Sequence, residues 1–469
     1  MAHGIMIHQP STRILSIDTL RGIAIFEMIL CANISWNAGL PAWMFHAQVP
    51  PPDYVFRPDV PGITWVDLVF PFFLFSMGAA FPFALGKRAE SGQPVWKICL
   101  TLVKRFAILA AFSIVLGNCY RVPGAEAGTV PSSLFMIAAW AAMFLALTRF
   151  RFRTESAGRL LNISGAVLLA GLAAVMHYGL GIRVSKESSD IIIMVLAYVA
   201  LFGGLIWLLT KDSIMCRWLV FIAIGAVKAL SSYSPAFNEA FSAVAFPSAG
   251  WIFQWKFLQY LMVAIAGSVV GDMIRKRKDT PESAARAKSE AWTAVLALLT
   301  VVFQLWGLFT RHVTADLAVT VLSATVFFSA MYRKKRLWSD IAMTGYILLV
   351  AGIIFDPVDG GITKDHCNLS YLLTTSGMAA ITTGVLLFLE TGYGMKSRLL
   401  SECGQNPMIA YTVTNFLTGP LLRMTCLMPV IDRLSCTSQA AGLLRGLFIT
   451  AIMMTVTIFF TRKKVFWRS

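Results

Sequence analysis

The chain has 469 residues, of which 57% are hydrophobic and 14% charged, and its mean hydropathy is +0.69. A soluble globular protein carries about 25% charged residues, so this composition excludes a soluble domain, a disordered chain and a coiled coil. The net charge of +16 lies in short basic runs between long apolar stretches, which is typical of anchors against anionic lipid. We therefore expect an integral membrane protein with the lipid bilayer as its partner and no nucleic-acid partner.

The apolar stretches predict an all-α, polytopic helical bundle. A membrane-spanning helix needs about 20 apolar residues. About fourteen stretches approach that length. Because some of them are weak candidates, we predict about 10 to 14 transmembrane helices. They lie near residues 22–40, 64–86, 98–117, 132–148, 160–180, 190–210, 214–232, 251–274, 291–309, 315–332, 340–356, 370–391, 405–422 and 446–461. The weakest are 214–232, which contains polar residues, and 405–422, which Pro407 and Pro420 interrupt.

The distribution of positive charge predicts the orientation of the bundle. A cytoplasmic N-terminus assigns about 29 of the 40 Lys and Arg residues to cytoplasmic segments or helix ends. We therefore expect both termini inside the cell. Residues 1–469 are predicted to form a single transmembrane domain, with a short cytoplasmic tail at 1–17 and an outer loop at 41–63.

The first predicted hairpin carries the residues best suited to chemistry. His46 lies in its loop and Asp67 near the start of its second helix. Histidine both accepts and donates a proton near neutral pH, and Asp67 could orient it or bind an amine. The alternatives are an interfacial loop histidine and a carboxylate that interacts with the positive end of a helix dipole.

Other ionisable residues leave several interpretations open. Glu27 lies inside the first span, where a charge is costly unless it faces a cavity or a partner. Its candidate partners are Lys228, Lys256 and Arg21. The acidic segment 356–365 is interpreted as a solvated loop, a cation site or an amino-sugar contact. The eight cysteines form no CxxC pair and no zinc-like set with histidine, so no metal site is predicted.

Together these motifs resemble the heparan-alpha-glucosaminide N-acetyltransferase family. Its members share a Ser-x-Asp-x-x-Arg-Gly helix start, a His-Ala loop and a Gly-x-Thr-x-x-Asp-Leu-Val-Phe-Pro helix. The matching residues here are Ser16, Asp18, Arg21, Gly22, His46, Ala47, Gly62, Thr64, Asp67, Leu68, Val69, Phe70 and Pro71. The long loop from Trp43 to Ile63 is more similar to the bacterial, NagX-like branch, and weaker similarity continues to Tyr411.

The resemblance implies transfer of an acetyl group from cytosolic acetyl-coenzyme A to the amino group of glucosamine, or of an amino-sugar oligomer, at the periplasmic face. It implies a location in the bacterial inner membrane and His46 as the catalytic residue, either as general base or as acetyl carrier. We expect Asp67 to assist it. The expected sugar contacts are Asn33, Asp359 and Lys364.

Coenzyme A carries phosphates, which bind basic side chains and helix starts. From location and charge, the predicted contacts of coenzyme A are Arg21, Lys104, Arg105 and Asn406. The main alternative function is an inner-membrane permease for N-acetylglucosamine or related sugars, supported by the number of helices and by the charges at Glu27, Lys228 and Lys256. A third is an O-acetyltransferase that acts on an envelope glycan. A homodimer is the expected oligomer, because symmetric dimers are common.

Overall fold

The computed structural model describes residues 14–124, 128–150, 155–244, 254–277, 284–425 and 427–467. Within these residues the regular structure is helical, and the single β-bridge joins Thr148 to Trp467. The first helices are α1 (Leu15–Asn33), α2 (Trp65–Glu90), α3 (Val95–Cys119), α4 (Val130–Leu147), α5 (Glu155–Ala174), α6 (Ile191–Tyr198), α7 (Gly204–Thr210), α8 (Ile214–Tyr233), α9 (Pro235–Val244), α10 (Trp255–Leu258) and α11 (Leu261–Lys276). The prediction of an all-α fold is confirmed.

The second half of the chain continues in the same way. Its helices are α12 (Ala284–Thr310), α13 (Val313–Met331), α14 (Leu337–Phe355), α15 (Leu369–Gly392), α16 (Arg398–Gly404), α17 (Pro407–Thr412), α18 (Gly419–Arg423), α19 (Leu427–Ser435) and α20 (Gln439–Arg462). Among the described residues, 12 helices are long and apolar enough to cross a membrane. The chain is therefore a multi-pass membrane protein built as a helical bundle.

Contacts between the connecting loops define the two ends of the bundle. At one end His46, between α1 and α2, lies beside Lys364, between α14 and α15. We call this the His46 end. At the other end Glu390 of α15 accepts hydrogen bonds from the backbone N–H groups of Leu15 and Ser16, at 3.1 and 2.8 Å. We call this the Glu390 end.

The helix α1 crosses the bundle although it is not one of those 12 apolar helices. It begins beside Glu390 and ends at Asn33, next to the loop that carries His46. Its sequence contains Asp18, Arg21 and Glu27, which lower its hydropathy. At the opposite end of the chain, α20 begins at Gln439, whose side chain donates to the Gly39 carbonyl at the His46 end. It ends at Arg462, which pairs with Glu402 of α16, and α16 packs on the first turns of α1. The start of α1 and the end of α20 therefore both lie at the Glu390 end.

The predicted boundaries of the first span are wrong. The helix occupies residues 15–33 instead of 22–40, so residues 15–17 of the predicted tail are helical, and residues 1–13 lie outside the described residues. The polar start stays helical because Arg21 donates to Asp18, to the Ser76 hydroxyl and to the Gly404 carbonyl. After Asn33 the backbone becomes extended and enters the loop.

The weak predicted span at 405–422 is interrupted, as its prolines indicate. It consists of α17, a π-helical segment at Val413–Thr418 and α18. Pro407 lies in the first turn of α17, where a missing N–H leaves no hydrogen bond unmade, and Pro420 is the second residue of α18, which directly follows the π-helical segment. The segment continues from α16 at the Glu390 end, and α18 packs against α4.

The centre of the bundle is formed by α2, α11 and α15, which are largely buried. A side chain on Gly267 or Gly271 of α11 would collide with α2, since a Cβ there would lie 2.1 Å from the Phe75 oxygen and 2.3 Å from the Ala79 oxygen. The small residues thus allow close helix packing. The starts of α2 and α15 meet at the His46 end, where they position the candidate site.

Candidate active site

His46 and Asp67 are in direct contact at the start of α2. The His46 Nδ1 atom lies 2.6 Å from the Asp67 Oδ1 atom. Asp67 Oδ2 accepts the backbone N–H of Thr64 at 2.9 Å and of Ala47 at 3.4 Å. A carboxylate with several donors around it acts as acceptor, so Nδ1 carries the hydrogen. His46 Nε2 is then the basic nitrogen of the neutral ring, and it makes no hydrogen bond to a described residue.

The burial of the two side chains differs sharply. The Asp67 side chain is 0% exposed and the His46 side chain 32% exposed. An enclosed carboxylate holds the imidazole in one tautomer and orientation, while the ring remains accessible to a reactant. The prediction that Asp67 orients His46 agrees with this geometry.

The loop between α1 and α2 is folded against the start of α2. The Thr64 hydroxyl donates to the Phe45 carbonyl at 2.7 Å, directly before His46. The rings of Trp36, Phe45 and Tyr54 form a cluster with centroids 5.0 to 5.1 Å apart. Gln48, which is fully buried, donates to two carbonyls in the same loop. These contacts fix the backbone on both sides of the histidine.

Lys364 enters the same cluster from the connection between α14 and α15. Its Nζ atom lies 3.2 Å from His46 Nδ1 and 3.9 Å from Asp67 Oδ1. Because Nδ1 donates its hydrogen to Asp67, it cannot also accept one from Lys364. The ammonium therefore acts as a positive charge beside the imidazole and the carboxylate.

A second ion pair holds the loop that carries Lys364. Arg311 binds Asp356 through two hydrogen bonds of 2.9 and 2.7 Å. Asp356 also accepts the backbone N–H of Ile362 at 2.7 Å, and the Ile362 carbonyl accepts the N–H of Gly62 at 2.7 Å. The two loops that supply His46 and Lys364 are thereby joined through their backbones.

The start of α15 completes the support of the site. Asn368 caps the helix, because its side chain accepts the Tyr371 N–H. The Tyr371 hydroxyl donates to the Asp67 carbonyl at 2.8 Å. Burial raises the pKa of the Cys367 thiol, which lies in this turn, to about 12, so the thiol stays protonated at neutral pH.

The other two predicted sugar contacts are not brought to His46 by a hydrogen bond. Asp359 accepts the Tyr233 hydroxyl and, at 2.6 Å, the N–H of Ser370. Its carboxylate therefore tethers α8 to the start of α15. The Asn33 side chain donates to the Ile29 carbonyl of its own helix at 2.7 Å.

Two of the predicted contacts of coenzyme A are bound within the protein. All three nitrogens of the Arg21 guanidinium donate, to Asp18, Ser76 and Gly404, so this side chain joins α1 to α2 and α16. Asn406 donates to the Val465 carbonyl at 2.8 Å, and its enclosed Oδ1 is an acceptor without a donor. A phosphate needs donors, so this oxygen does not suit it.

Arg105 and Lys104 differ in their surroundings. Lys104 is exposed on α3. The Nε atom of Arg105 is enclosed without a hydrogen-bond partner, and the guanidinium experiences the positive charge of Arg21. Two neighbouring arginines repel each other, so an anion between them would be stabilised. Of the four predicted residues, Arg105 fits a phosphate best.

Glu27 pairs with none of the partners considered from sequence. Lys228 donates to the His366 carbonyl at 3.3 Å, and Lys256 lies over the Phe257 ring at 4.9 Å. Arg21 is engaged as described above. Oε2 of Glu27 is enclosed and accepts no hydrogen bond.

Two cavities occur elsewhere in the described part of the chain. One, of about 310 Å³, lies between Tyr120 and Arg423, and the other, of about 390 Å³, lies between Ser16 and Lys396. His46 lines neither of these two cavities.

Sequence reasoning missed the residues that support the cluster. Arg311 follows a helix as an isolated basic residue and gives no local signal, whereas Asp356 was noted only as one acid of a polar loop. Asn368 and Tyr371 have a helix-start pattern, which could have indicated the cap but not the bond to Asp67.

Comparison with known families gives one match. A family described as a domain of unknown function, DUF5009, matches residues 13–274. This range is more than half of the chain and contains His46, Asp67 and Glu27, but it ends before Lys364. No curated protein matches the chain.

Proposed function

We propose that this chain, which belongs to the DUF5009 family, is a transmembrane acetyltransferase of the bacterial inner membrane. It moves an acetyl group from cytosolic acetyl-coenzyme A to the amino group of glucosamine, or of an amino-sugar oligomer, at the periplasmic face. The observation that supports this most is the 2.6 Å contact between His46 Nδ1 and buried Asp67. It leaves Nε2 as a basic atom on an accessible ring at one end of the membrane bundle.

The chemistry that this geometry supports begins with a proton. The ammonium of an amino sugar must lose a proton before its nitrogen can attack a thioester, and a positioned imidazole takes such protons efficiently. In direct transfer, His46 Nε2 accepts that proton while the amine forms the new C–N bond. Asp67 stabilises the imidazolium that results, because its charge lies at Nδ1.

A covalent route uses the same atoms. His46 Nε2 forms a bond to the acetyl carbon, the C–S bond breaks, and the amine later displaces the imidazole. Lys364 supports either route, because its ammonium can stabilise the negative oxygen of the tetrahedral intermediate. The geometry is compatible with both routes.

Coenzyme A, when bound, supplies the thioester, and its phosphates would enter from the Glu390 end. Arg105 is the best candidate to hold them, because its Nε atom is enclosed without a partner and lies in the field of Arg21. Its position on α3 is ten residues from Val95, or about 15 Å along the helix.

The test is product formation by the purified, full-length protein. Acetyl-coenzyme A labelled with ¹³C in the acetyl group is mixed with glucosamine, and N-acetylglucosamine is measured by mass spectrometry. Wild type should form labelled product, and His46→Ala should form about 10³-fold less. An alkali-stable product separates the amide from a sugar ester. Equal rates for wild type and His46→Ala would contradict the role of His46.

The permease remains the alternative, and the unpaired Glu27 is the observation that favours it, because transporters place carboxylates at intramembrane sites. Uptake of N-acetylglucosamine into proteoliposomes without acetyl-coenzyme A, together with no acetylated product, would favour the permease over the transferase.

A further inference from the structure

Glu27 is a carboxyl group inside the bundle for which the contacts described so far provide no role. Its helix α1 packs against α2, α15, α16, α17 and α20. Oε2 is enclosed and accepts no hydrogen bond, while the residue as a whole is only half-buried. The side chain is therefore only partly enclosed by the described residues.

The position of Glu27 along α1 can be compared with the cluster of His46, Asp67 and Lys364. It lies 12 residues after Leu15 and 6 before Asn33, or about 18 Å and about 9 Å along the helix. Cys31, one turn further, interacts electrostatically with Glu27, Asp67 and Lys364. Glu27 thus lies between this cluster and the Glu390 end, from which coenzyme A would approach.

The chemical form of this carboxyl follows from its surroundings. An isolated charge in a low-dielectric site is costly, and a carboxyl group without a partner there is most stable with its proton. Lys228, Lys256 and Arg21 are bound elsewhere, and Lys364 is held beside His46 and Asp67. Glu27 can therefore hold a proton ready for donation.

We propose that Glu27 is the general acid that protonates the sulfur of coenzyme A as the thioester breaks. This inference rests on the acetyltransfer proposed above. As the C–N bond forms at the acetyl carbon, the C–S bond breaks and its electron pair stays on sulfur. The proton of Glu27 passes to that sulfur and gives the free thiol.

The protons of the reaction balance once those of the acceptor amine are counted. An ammonium acceptor loses two protons when it becomes an amide. One of them replaces the proton that Glu27 gave to the thiol, and the other passes to water. The gain is large because a thiolate expelled into the bundle would carry an uncompensated charge. General acids of this kind contribute about 10²–10⁴-fold to the rate.

The experiment compares two acetyl donors that differ in the leaving group. Coenzyme A leaves as a basic alkyl thiolate, whereas phenyl thioacetate expels thiophenolate, a weak base that needs no proton. With acetyl-coenzyme A, kcat of Glu27→Gln should fall by about 10²-fold. With phenyl thioacetate, the kcat of Glu27→Gln should stay within about threefold of the wild-type kcat, because no acid is required for this leaving group. The uncatalysed rate is subtracted in both cases.

Matched variants separate chemistry from structure. Glu187→Gln makes the same substitution at an exposed loop position and should match wild type with both donors. Glu27→Asp keeps an acid of shorter reach and should retain more activity with acetyl-coenzyme A than Glu27→Gln does. An equal loss with both donors, or no loss with either, would overturn the role of Glu27. Wild-type protein that transfers acetyl from neither donor would instead contradict the proposed function, and this inference with it.

Discussion

Two buried aspartates in this bundle pair with basic side chains, but the two pairs differ in what they can do. Arg217 and Asp272, at the Glu390 end, lie 2.5 Å apart with side chains that are 0% and 1% exposed. Arg217 also donates to Thr210 and to the Ser268 carbonyl. At the His46 end, Asp67 is equally buried, but its partner His46 is 32% exposed. One pair is sealed and joins helices, while the other leaves a basic nitrogen accessible.

A structural pair and a reactive pair differ in how many of their polar atoms are bound within the protein. In the sealed pair every nitrogen of the cation is bound within the protein. In the open pair the buried carboxylate is satisfied by backbone N–H groups, so the imidazole needs only one of its two nitrogens for structure. Loss of the first pair should therefore affect stability, and loss of the second should affect turnover.

The largest expected effect follows from Asp67→Asn. The amide cannot hold the imidazole in the same tautomer or stabilise the imidazolium, so kcat should fall by about 10³–10⁴-fold. The melting temperature measured in detergent should change much less than kcat. A variant that retains wild-type kcat would show that the carboxylate does not assist His46.

Asp272→Ala should give the next largest effect, and on stability alone. It leaves the buried charge of Arg217 without a counter-charge, which costs about 3–5 kcal/mol of unfolding free energy. The paired replacement Arg217→Met with Asp272→Leu should recover most of that loss, because both charges are removed. Thermal unfolding of the two variants checks this. A double variant as unstable as Asp272→Ala would contradict the charge argument.

Lys364→Met should have a smaller effect on turnover. The variant removes the positive charge beside His46 but keeps an unbranched side chain that is only one atom shorter. We expect kcat to fall on the order of 10²-fold, as for the loss of one group that stabilises a tetrahedral oxygen. The KM for glucosamine is measured in parallel. A change confined to KM would assign Lys364 to sugar binding instead.

The orientation of the two ends can be tested without any effect on activity. Cys436, just after α19 at the His46 end, and Cys216, near the start of α8 at the Glu390 end, are both exposed. In spheroplasts, whose inner membrane is intact, an impermeant maleimide should label Cys436 but not Cys216. Peptide mapping identifies the labelled cysteine. Cys367 should stay unlabelled because it is buried and burial raises the pKa of its thiol to about 12. Labelling of Cys216 without Cys436 would reverse the orientation.

The sequence indicated the centre of the site better than its support. His46 and Asp67 flank one hairpin and are 21 residues apart, so a loop and a helix start suffice to bring them together. Lys364 is 318 residues from His46 in sequence, and only the family resemblance indicated it. Arg311 was missed because its ion pair with Asp356 depends on the packing of α12 against neighbouring helices.

The boundary of α1 shows a different limit of sequence reasoning. The apolar stretch that predicts the first span begins at residue 22, after Asp18 and Arg21. Hydrogen bonds to Ser76 and to the Gly404 carbonyl satisfy Arg21 within the bundle. Partners on distant segments thus extend a helix that hydropathy alone would begin later.

The most direct test of the central claim is chemical rescue of His46→Gly. The substitution removes the imidazole from an accessible position, so free imidazole can occupy the space beside Asp67. We predict that the variant transfers acetyl from acetyl-coenzyme A to glucosamine at least about 10³-fold more slowly than wild type, and that added imidazole raises this rate with saturation. A His46→Gly variant that reaches the wild-type rate without imidazole would contradict the account.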